Sequence, residues 1–169
     1  RLENPENQEL EEVLTQVEAY ESAFQTGNAA LDIVLTQKKM VCQQEKISFT
    51  CMADGTALHF MKTLDIASLF GNALDNAIEH EKKEKAENRY IFLKILRKGK
   101  MVSIRIENYC ETFLELSEAG LPVHSSKKDS ELHGYGTKSM QYIAEKYGAN
   151  FRIFSEKNLF VVSMLFPIE

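Results

Sequence analysis

The sequence predicts an α/β (α+β) two-layer sandwich, in which helices cover one face of a mixed, mostly antiparallel sheet and a helical segment precedes it. Two pairs of alternating apolar segments, each joined by a short polar turn, indicate β-hairpins. Other segments carry apolar residues at i, i+3 and i+4, which is the period of an amphipathic helix. Hairpins mixed with such helices favour a sheet with one packed face.

Composition narrows the class of protein. The chain has 169 residues with 44% hydrophobic content, which suits one domain with a real core. Its net charge of -5, with both signs interspersed, argues against a nucleic-acid partner, which usually needs a basic stripe. Its three cysteines lack metal-ligand spacing and fit a reducing compartment. Because the chain opens on Arg1 rather than Met, we expect it to be a fragment of a longer protein.

The N-terminal part predicts two helices and a short strand. An apolar stripe at helical spacing runs from Pro5 to Phe24 and is broken at Gly27-Asn28. A second helix over about 31–42 and a strand over 47–52 follow. The break therefore divides the chain into residues 1–27 and residues 28–169.

The clearest helix, over about 65–83, carries two asparagines off its apolar stripe. Asn72 and Asn76 are four residues apart, so they project from the same side of a helix. Together they offer two neutral amide oxygens to one ion, and Mg²⁺ takes a few hard oxygen ligands from protein and the rest from water and phosphates. The alternative interpretation is a pair of surface polar residues on an amphipathic helix.

Two hairpins account for most of the sheet. The first pairs residues 90–98 with 101–108 around Gly99, and the second pairs 150–155 with 159–167. The last strand is apolar on both faces, which predicts a central position in the sheet. Between 109 and 133 the pattern dissolves, and a connection this long within a compact domain is usually functional or mobile.

A glycine-rich segment before the next helix predicts a phosphate site. We expect a helix over about 137–147, opened by a glycine hinge, whose first amides have no internal partner and attract phosphate. The candidate phosphate-binding residues here are Lys127, His133, Gly134, Tyr135, Gly136, Thr137 and Lys138. Together with the asparagine pair, this segment suggests a nucleotide site carrying Mg²⁺. The alternative is an ordinary loop-to-helix junction with solvated lysines.

The order of these parts resembles the ATP-binding domain shared by gyrase, the ninety-kilodalton heat-shock chaperones, histidine kinases and the mismatch-repair ATPases, the GHKL superfamily. Residues 69–79 resemble its N box, 133–139 its second glycine box, and the segment between the hairpin and that box its ATP lid. The wording "LDNAIEH", "SSKKDSELHGYGTKSM" and "IAEKYGAN" is most similar to histidine kinases of the peptide-sensing, AgrC-like branch. The resemblance implies a Bergerat-type fold with ATP and Mg²⁺ as cofactors.

The resemblance also implies roles for individual residues. Asn76 matches the metal-binding asparagine, Asn72 is a supporting metal contact, and both are the expected catalytic residues. Hydrolysing relatives carry a glutamate base at the position of Asn72, so an asparagine there favours phosphoryl transfer to a protein over hydrolysis. The superfamily's acidic glycine box is missing, since the chain has Glu107-Asn108-Tyr109-Cys110 at that place. Asn108 is nevertheless a candidate for adenine binding.

The leading functional hypothesis is the ATP-binding catalytic domain of a two-component sensor histidine kinase. Residues 1–27 would be the end of a dimerisation helix with its linker, and 28–169 the catalytic domain. The expected partners are an upstream dimerisation and phosphoacceptor domain, absent from this fragment, and a response regulator. We expect a homodimer in the full-length protein, and a cytoplasmic domain of a membrane-anchored bacterial sensor. None of the four histidines fits the phosphoacceptor, because none precedes His59.

Two other hypotheses remain open at this point. The missing acidic box is compatible with a degenerate, non-catalytic nucleotide-binding or docking module. A superfamily ATPase linked to DNA or chaperone work is a third class, which the acidic balance and Asn72 disfavour.

Overall fold

A computed structural model describes residues 23–111 and 130–169, without the side chains of 130–135. Its helices are α1 (Ala29–Gln44), α2 (Thr63–Glu81) and α3 (Ser130–Lys146). Its strands are β1 (Ser48–Ala53), β2 (Tyr90–Lys98), β3 (Met101–Tyr109), β4 (Asn150–Glu156) and β5 (Leu159–Pro167). Short 3-10 turns lie at Gly55–Leu58 and Ala86–Asn88. Within these ranges, no helix has the length and apolar character needed to cross a bilayer.

The five strands form one sheet in the order β1-β2-β3-β5-β4. The β1–β2 pair is parallel, and the other three pairs are antiparallel. This confirms the predicted mixed, mostly antiparallel sheet. The last strand lies between β3 and β4, as its two apolar faces predicted.

The core lies between the helices and one face of the sheet. From β3, every second residue from Val102 to Asn108 points into it, and the intervening residues are half-buried on the other face. From α2, the buried side chains follow the helical period and include Phe70 at 0% exposure. This layer order confirms the predicted two-layer sandwich and sets α2 directly above the end of β3.

The chain before α1 differs from the sequence prediction. Residues 23–26 are not helical, so the predicted first helix does not include Phe24. The hydroxyl and the backbone amide of Thr26 both donate to the Asp32 carboxylate, and Asn28 caps α1 by accepting from the Leu31 amide. These side-chain hydrogen bonds hold the segment in a turn, because they could not form if the segment were helical. The rest of that helix, 5–22, lies outside the described residues, and the boundary at 27/28 stays a prediction.

Helix α3 begins seven residues earlier than predicted, at Ser130 rather than Thr137. The predicted hinge Gly134-Tyr135-Gly136 is therefore helical. Glycine in a helix interior costs about 1 kcal/mol relative to alanine, which a helix packed against α2 tolerates. The packing of Gly136 against α2, described below, gives the physical reason why a glycine is favoured inside this helix.

Candidate functional site

The two asparagines of α2 lie on one side of the helix, beside its buried stripe. Asn72 and Asn76 are both half-exposed, whereas Ala73, Leu74 and Ala77 are buried. His80 continues the same line one turn further on. The rise of an α-helix places these three side chains along about 12 Å of its axis. The structure thus presents a row of polar groups on α2.

Helix α3 packs directly against this row. The Asn72 Nδ2 donates to Ser139 Oγ at 3.1 Å and to Ser68 Oγ at 3.3 Å. A Cβ placed on Gly136 would lie 3.0 Å from Asn76 Oδ1 and 3.2 Å from its Nδ2. The two sequence motifs, far apart in the chain, therefore meet side by side, and Gly136 leaves the space that the Asn76 amide occupies.

The donors present fit a divalent cation that arrives with phosphates. Two carboxamides one turn apart, beside a residue without a side chain, supply the few hard oxygens that Mg²⁺ takes from protein. Across the described ranges, no group of three or more His, Cys, Asp or Glu side chains is arranged to hold a metal. Among the described residues, the oxygens available to a metal here are therefore carboxamide oxygens and not a cluster of acidic, imidazole or thiol ligands.

The predicted phosphate cradle differs in detail from the structure. An amide within a helix donates to the carbonyl four residues earlier, so the unpaired amides of α3 belong to its first turn, residues 130–133, and not to residues beyond Tyr135. Thr137 thus lies inside α3 and not at its first turn, and the assignment of phosphate to the amides near it stays a prediction. Thr137 is half-exposed and Lys138 is exposed. His133, Gly134 and Tyr135 lie on the first turns of α3, and Lys127 lies outside the described residues. Their assignment to phosphate stays a prediction.

A buried polar pair, Glu81 and Asn108, lies beyond His80 at the other end of the row. Asn108 is 2% exposed and Glu81 is 0% exposed. The Asn108 Nδ2 donates to Glu81 Oε1 at 3.1 Å and to the Tyr109 carbonyl at 3.0 Å, and it lies 3.3 Å from His80 Nδ1. The other carboxylate oxygen of Glu81 accepts from the Tyr90 amide at 2.7 Å. This pair ties the end of α2 to β2 and β3.

Sequence reasoning missed Glu81, although the sequence holds a signal for it. Glu81 lies four residues after Ala77 and three after Ile78, so it continues the buried stripe of α2. Asn108 likewise continues the buried alternation of β3 after Ile104 and Ile106. Two polar residues at core positions of neighbouring elements are expected to pair, because buried polar groups need hydrogen-bond partners.

The start of α2 is anchored by α3. The Tyr147 hydroxyl accepts from the Lys62 amide at 2.9 Å and donates to the Asp65 carboxylate, and Lys146 Nζ lies 2.7 Å from Asp65. The hydrogen bonds from Lys146 and Tyr147 lower the pKa of Asp65, and the same bond to Asp65 raises the pKa of Lys146. This anchor fixes the alignment that brings Ser139 to Asn72.

Comparisons with known proteins give a family model and a fold. A model described as the GHKL domain matches residues 61–167. A search of the curated proteins finds no match.

Solved structures share the fold at low sequence identity. The catalytic domain of histidine kinase ThkA is 18% identical, over 82% of this chain and 90% of that chain, with a TM-score of 0.62. Histidine kinase AdeS of Acinetobacter baumannii is 11% identical, over 83% of this chain and 64% of that chain, with a TM-score of 0.54. A mycobacterial sensor histidine kinase, MprB, is 12% identical, over 82% of this chain and 93% of that chain, with a TM-score of 0.52. The architecture is that of histidine kinase catalytic domains.

Proposed function

The chain belongs to the GHKL domain family, and from that premise we propose that it is the ATP-binding catalytic domain of a two-component sensor histidine kinase of the AgrC-like branch. It transfers the γ-phosphoryl group of ATP to a histidine on an upstream dimerisation domain. The observation that carries this proposal is the contact between the two motifs, with Asn76 against Gly136 and Asn72 bonded to Ser139.

In this proposal Asn76, supported by Asn72, holds the Mg²⁺ ion that accompanies ATP. When bound there, Mg²⁺ would supply neutralisation of the charge on the phosphoryl oxygens. The protein's own contribution is positioning, since phosphoryl transfer requires alignment more than covalent chemistry. The α2–α3 contact supplies that alignment because both helices are anchored at the Asp65 end.

Asn72 favours transfer over hydrolysis. A carboxamide cannot take a proton from water, so Asn72 cannot act as a general base. The neighbouring carboxylate of Asp75 is 2.6 Å from Lys38 Nζ, which ties it to α1. The imidazole of a histidine acceptor attacks through a nitrogen lone pair and needs no strong base at this position, which supports the kinase assignment.

Asn108 is proposed to bind the adenine. It lies beyond His80 at the opposite end of the row from Ser139, which suits an elongated nucleotide whose phosphates lie near Asn76. The proposed partners are the chain's own dimerisation domain, within a homodimer, and a response regulator. A cytoplasmic position in a membrane-anchored bacterial sensor belongs to the same proposal.

Calorimetry of ATP binding with and without Mg²⁺ tests the assignment. Wild-type protein is expected to bind ATP more tightly with Mg²⁺, and Asn76→Ala is expected to lose the Mg²⁺-dependent part, a weakening of about tenfold or 1.4 kcal/mol. Asn150→Ala, an exposed asparagine at the start of β4, is the matched control and should bind as wild type. Equal wild-type affinity with and without Mg²⁺ would overturn the metal assignment.

Phosphotransfer requires a second experiment. The chain is expected not to phosphorylate itself but to phosphorylate a supplied dimerisation domain of its own parent protein. A non-catalytic docking module is the second candidate, favoured by the absent acidic box and by the occupied Nδ2 of Asn108. Nucleotide binding without phosphorylation of the complete cytoplasmic region would select that candidate.

A further inference from the structure

We propose that Glu81 is a positioning residue that sets base specificity, because together with the Tyr109 carbonyl it decides which atom of the Asn108 amide faces the nucleotide. The inference rests on the proposed function, in which Asn108 contacts the base. It assigns the chain a preference for adenine over guanine without the acidic residue that most of the superfamily uses.

The orientation of the Asn108 amide follows from its partners. The two ends of an asparagine side chain are nearly indistinguishable by shape, so hydrogen bonds must assign them. Here one end meets Glu81 Oε1 at 3.1 Å and the Tyr109 carbonyl at 3.0 Å. A carboxylate and a carbonyl accept hydrogen bonds and cannot donate them. The nitrogen must therefore lie on this side, and Oδ1 points the other way.

Glu81 is itself held in place. Its Oε2 accepts from the Tyr90 amide at 2.7 Å, at the first residue of β2. The side chain is 0% exposed, so no water competes for its oxygens and rotation would leave a buried carboxylate without partners. A backbone donor on one oxygen thus forces the other oxygen toward Asn108.

An oriented acceptor distinguishes the two purines. At position 6, adenine carries an amino group that donates, whereas guanine carries an oxygen that accepts. The Oδ1 of Asn108 therefore matches adenine and opposes guanine, whereas an amide free to turn would serve either base. Sites that hydrogen-bond a substrate group reject analogues that cannot make that bond far more strongly than apolar pockets do.

Glu81→Gln replaces one accepting oxygen of the side chain by a donating nitrogen, with almost no change of shape. The Tyr90 amide keeps the glutamine oxygen, so the glutamine nitrogen faces Asn108 Nδ2. Two donors then oppose each other and only the Tyr109 carbonyl still favours the nitrogen on this side, so the Asn108 amide can present either end to the base. We expect the ratio of ATP to GTP affinity to fall at least tenfold.

The double variant Glu81→Gln with Asn108→Asp supplies the rescue. The glutamine nitrogen donates to one oxygen of the new carboxylate, which must move off the Tyr109 carbonyl because both groups only accept, and the other oxygen accepts from adenine. The preference for ATP should return toward the wild-type ratio. A merely structural role of Glu81 would change the melting temperature of the variants and leave the ratio of ATP to GTP affinity unchanged.

The experiment is calorimetry of the 169-residue chain with Mg-ATP and with Mg-GTP, together with the melting temperature of each variant. A wild type that prefers ATP at least tenfold, a reduced ratio in Glu81→Gln and its recovery in the double variant support the proposal. An unchanged ratio in Glu81→Gln overturns it. Equal binding of both nucleotides by wild type overturns it while leaving the proposed function intact, whereas binding of neither overturns the proposed function.

Nuclear magnetic resonance of wild-type protein keeps the proposal testable if Glu81→Gln does not fold. The side-chain amide protons of Asn108 should stay protected from exchange when Mg-ATP binds, because Glu81 and Tyr109 retain them. A transfer of these protons to the nucleotide, seen as contacts between the amide group and the adenine ring, would overturn the proposal.

Discussion

Replacing Gly136 with alanine separates the stability of α3 from the geometry of the candidate site. The new Cβ would lie 3.0 Å from Asn76 Oδ1, 3.2 Å from Nδ2 and 3.5 Å from Cγ, so the amide must shift by a few tenths of an ångström. Gly71→Ala in the interior of α2 is the matched control, since a Cβ there would meet no atom within 4 Å. Both changes replace a helical glycine, and only one of them touches Asn76.

The expected magnitudes differ for the two variants. Alanine is more favourable than glycine in a helix interior by about 0.5–1 kcal/mol, so Gly71→Ala should be stabilised by that amount. For a chain of this size, that free energy raises the melting temperature by about 1–4 °C. In Gly136→Ala, moving Asn76 off its rotamer costs about 0.5–1.5 kcal/mol and cancels the gain. The melting temperature should therefore stay near the wild-type value.

The affinity for Mg-ATP should also differ between the two variants. A displaced Asn76 no longer holds its oxygen where the ion is expected, and we expect a weakening of about tenfold, or 1.4 kcal/mol, in Gly136→Ala and none in Gly71→Ala. Differential scanning fluorimetry measures the melting temperature, and calorimetry measures the affinity. The reasoning would be refuted if Gly136→Ala gained as much stability as Gly71→Ala and bound Mg-ATP as wild type does.

Two further predictions concern the anchor between α2 and α3. Tyr147→Phe loses the donor to Asp65 and the acceptor for the Lys62 amide, so its free energy of unfolding in urea should fall by about 1–2 kcal/mol. Tyr142→Phe, at 68% exposure on α3, is the control and should lose nothing measurable. Equal urea midpoints for the two variants would contradict this prediction. Because the folded pKa of Asp65 is lowered, its contribution is present above the ordinary aspartate pKa of about 3.9 and is lost as the pH falls below it. The stability difference between wild type and Asp65→Asn should therefore shrink from pH 7 to pH 3, and a constant difference would count against the anchor.

The periodicity of apolar residues was sufficient to predict most of the helices and strands. Alternation predicted both hairpins, because a half-buried strand exposes every second residue. The helical stripe predicted α2 and placed Asn72 and Asn76 on its partly exposed side, since four residues make about one turn. The superfamily resemblance likewise agrees with the family model over residues 61–167. These features depend on neighbours within a few residues, and the sequence shows those neighbours directly.

Glycine and polar residues at buried positions were less predictable. The pair of glycines in the second motif suggested a helix start at Thr137, whereas α3 begins at Ser130. Gly136 is needed for close packing on Asn76 and not for a hinge. Sequence alone cannot separate these two uses of glycine, because both depend on what lies next to the missing side chain.

The sequence by itself determined the element types, the sandwich architecture and the family, because each follows from local period or from short motifs in a given order. Only the tertiary structure decided that Gly136 packs on Asn76 and that Glu81 faces Asn108. The physical reason is that an amide side chain has two ends of equal size and opposite hydrogen-bonding character. Which end of the Asn108 amide faces Glu81 depends on acceptors brought from α2 and from the backbone of β3, and only the fold places them there.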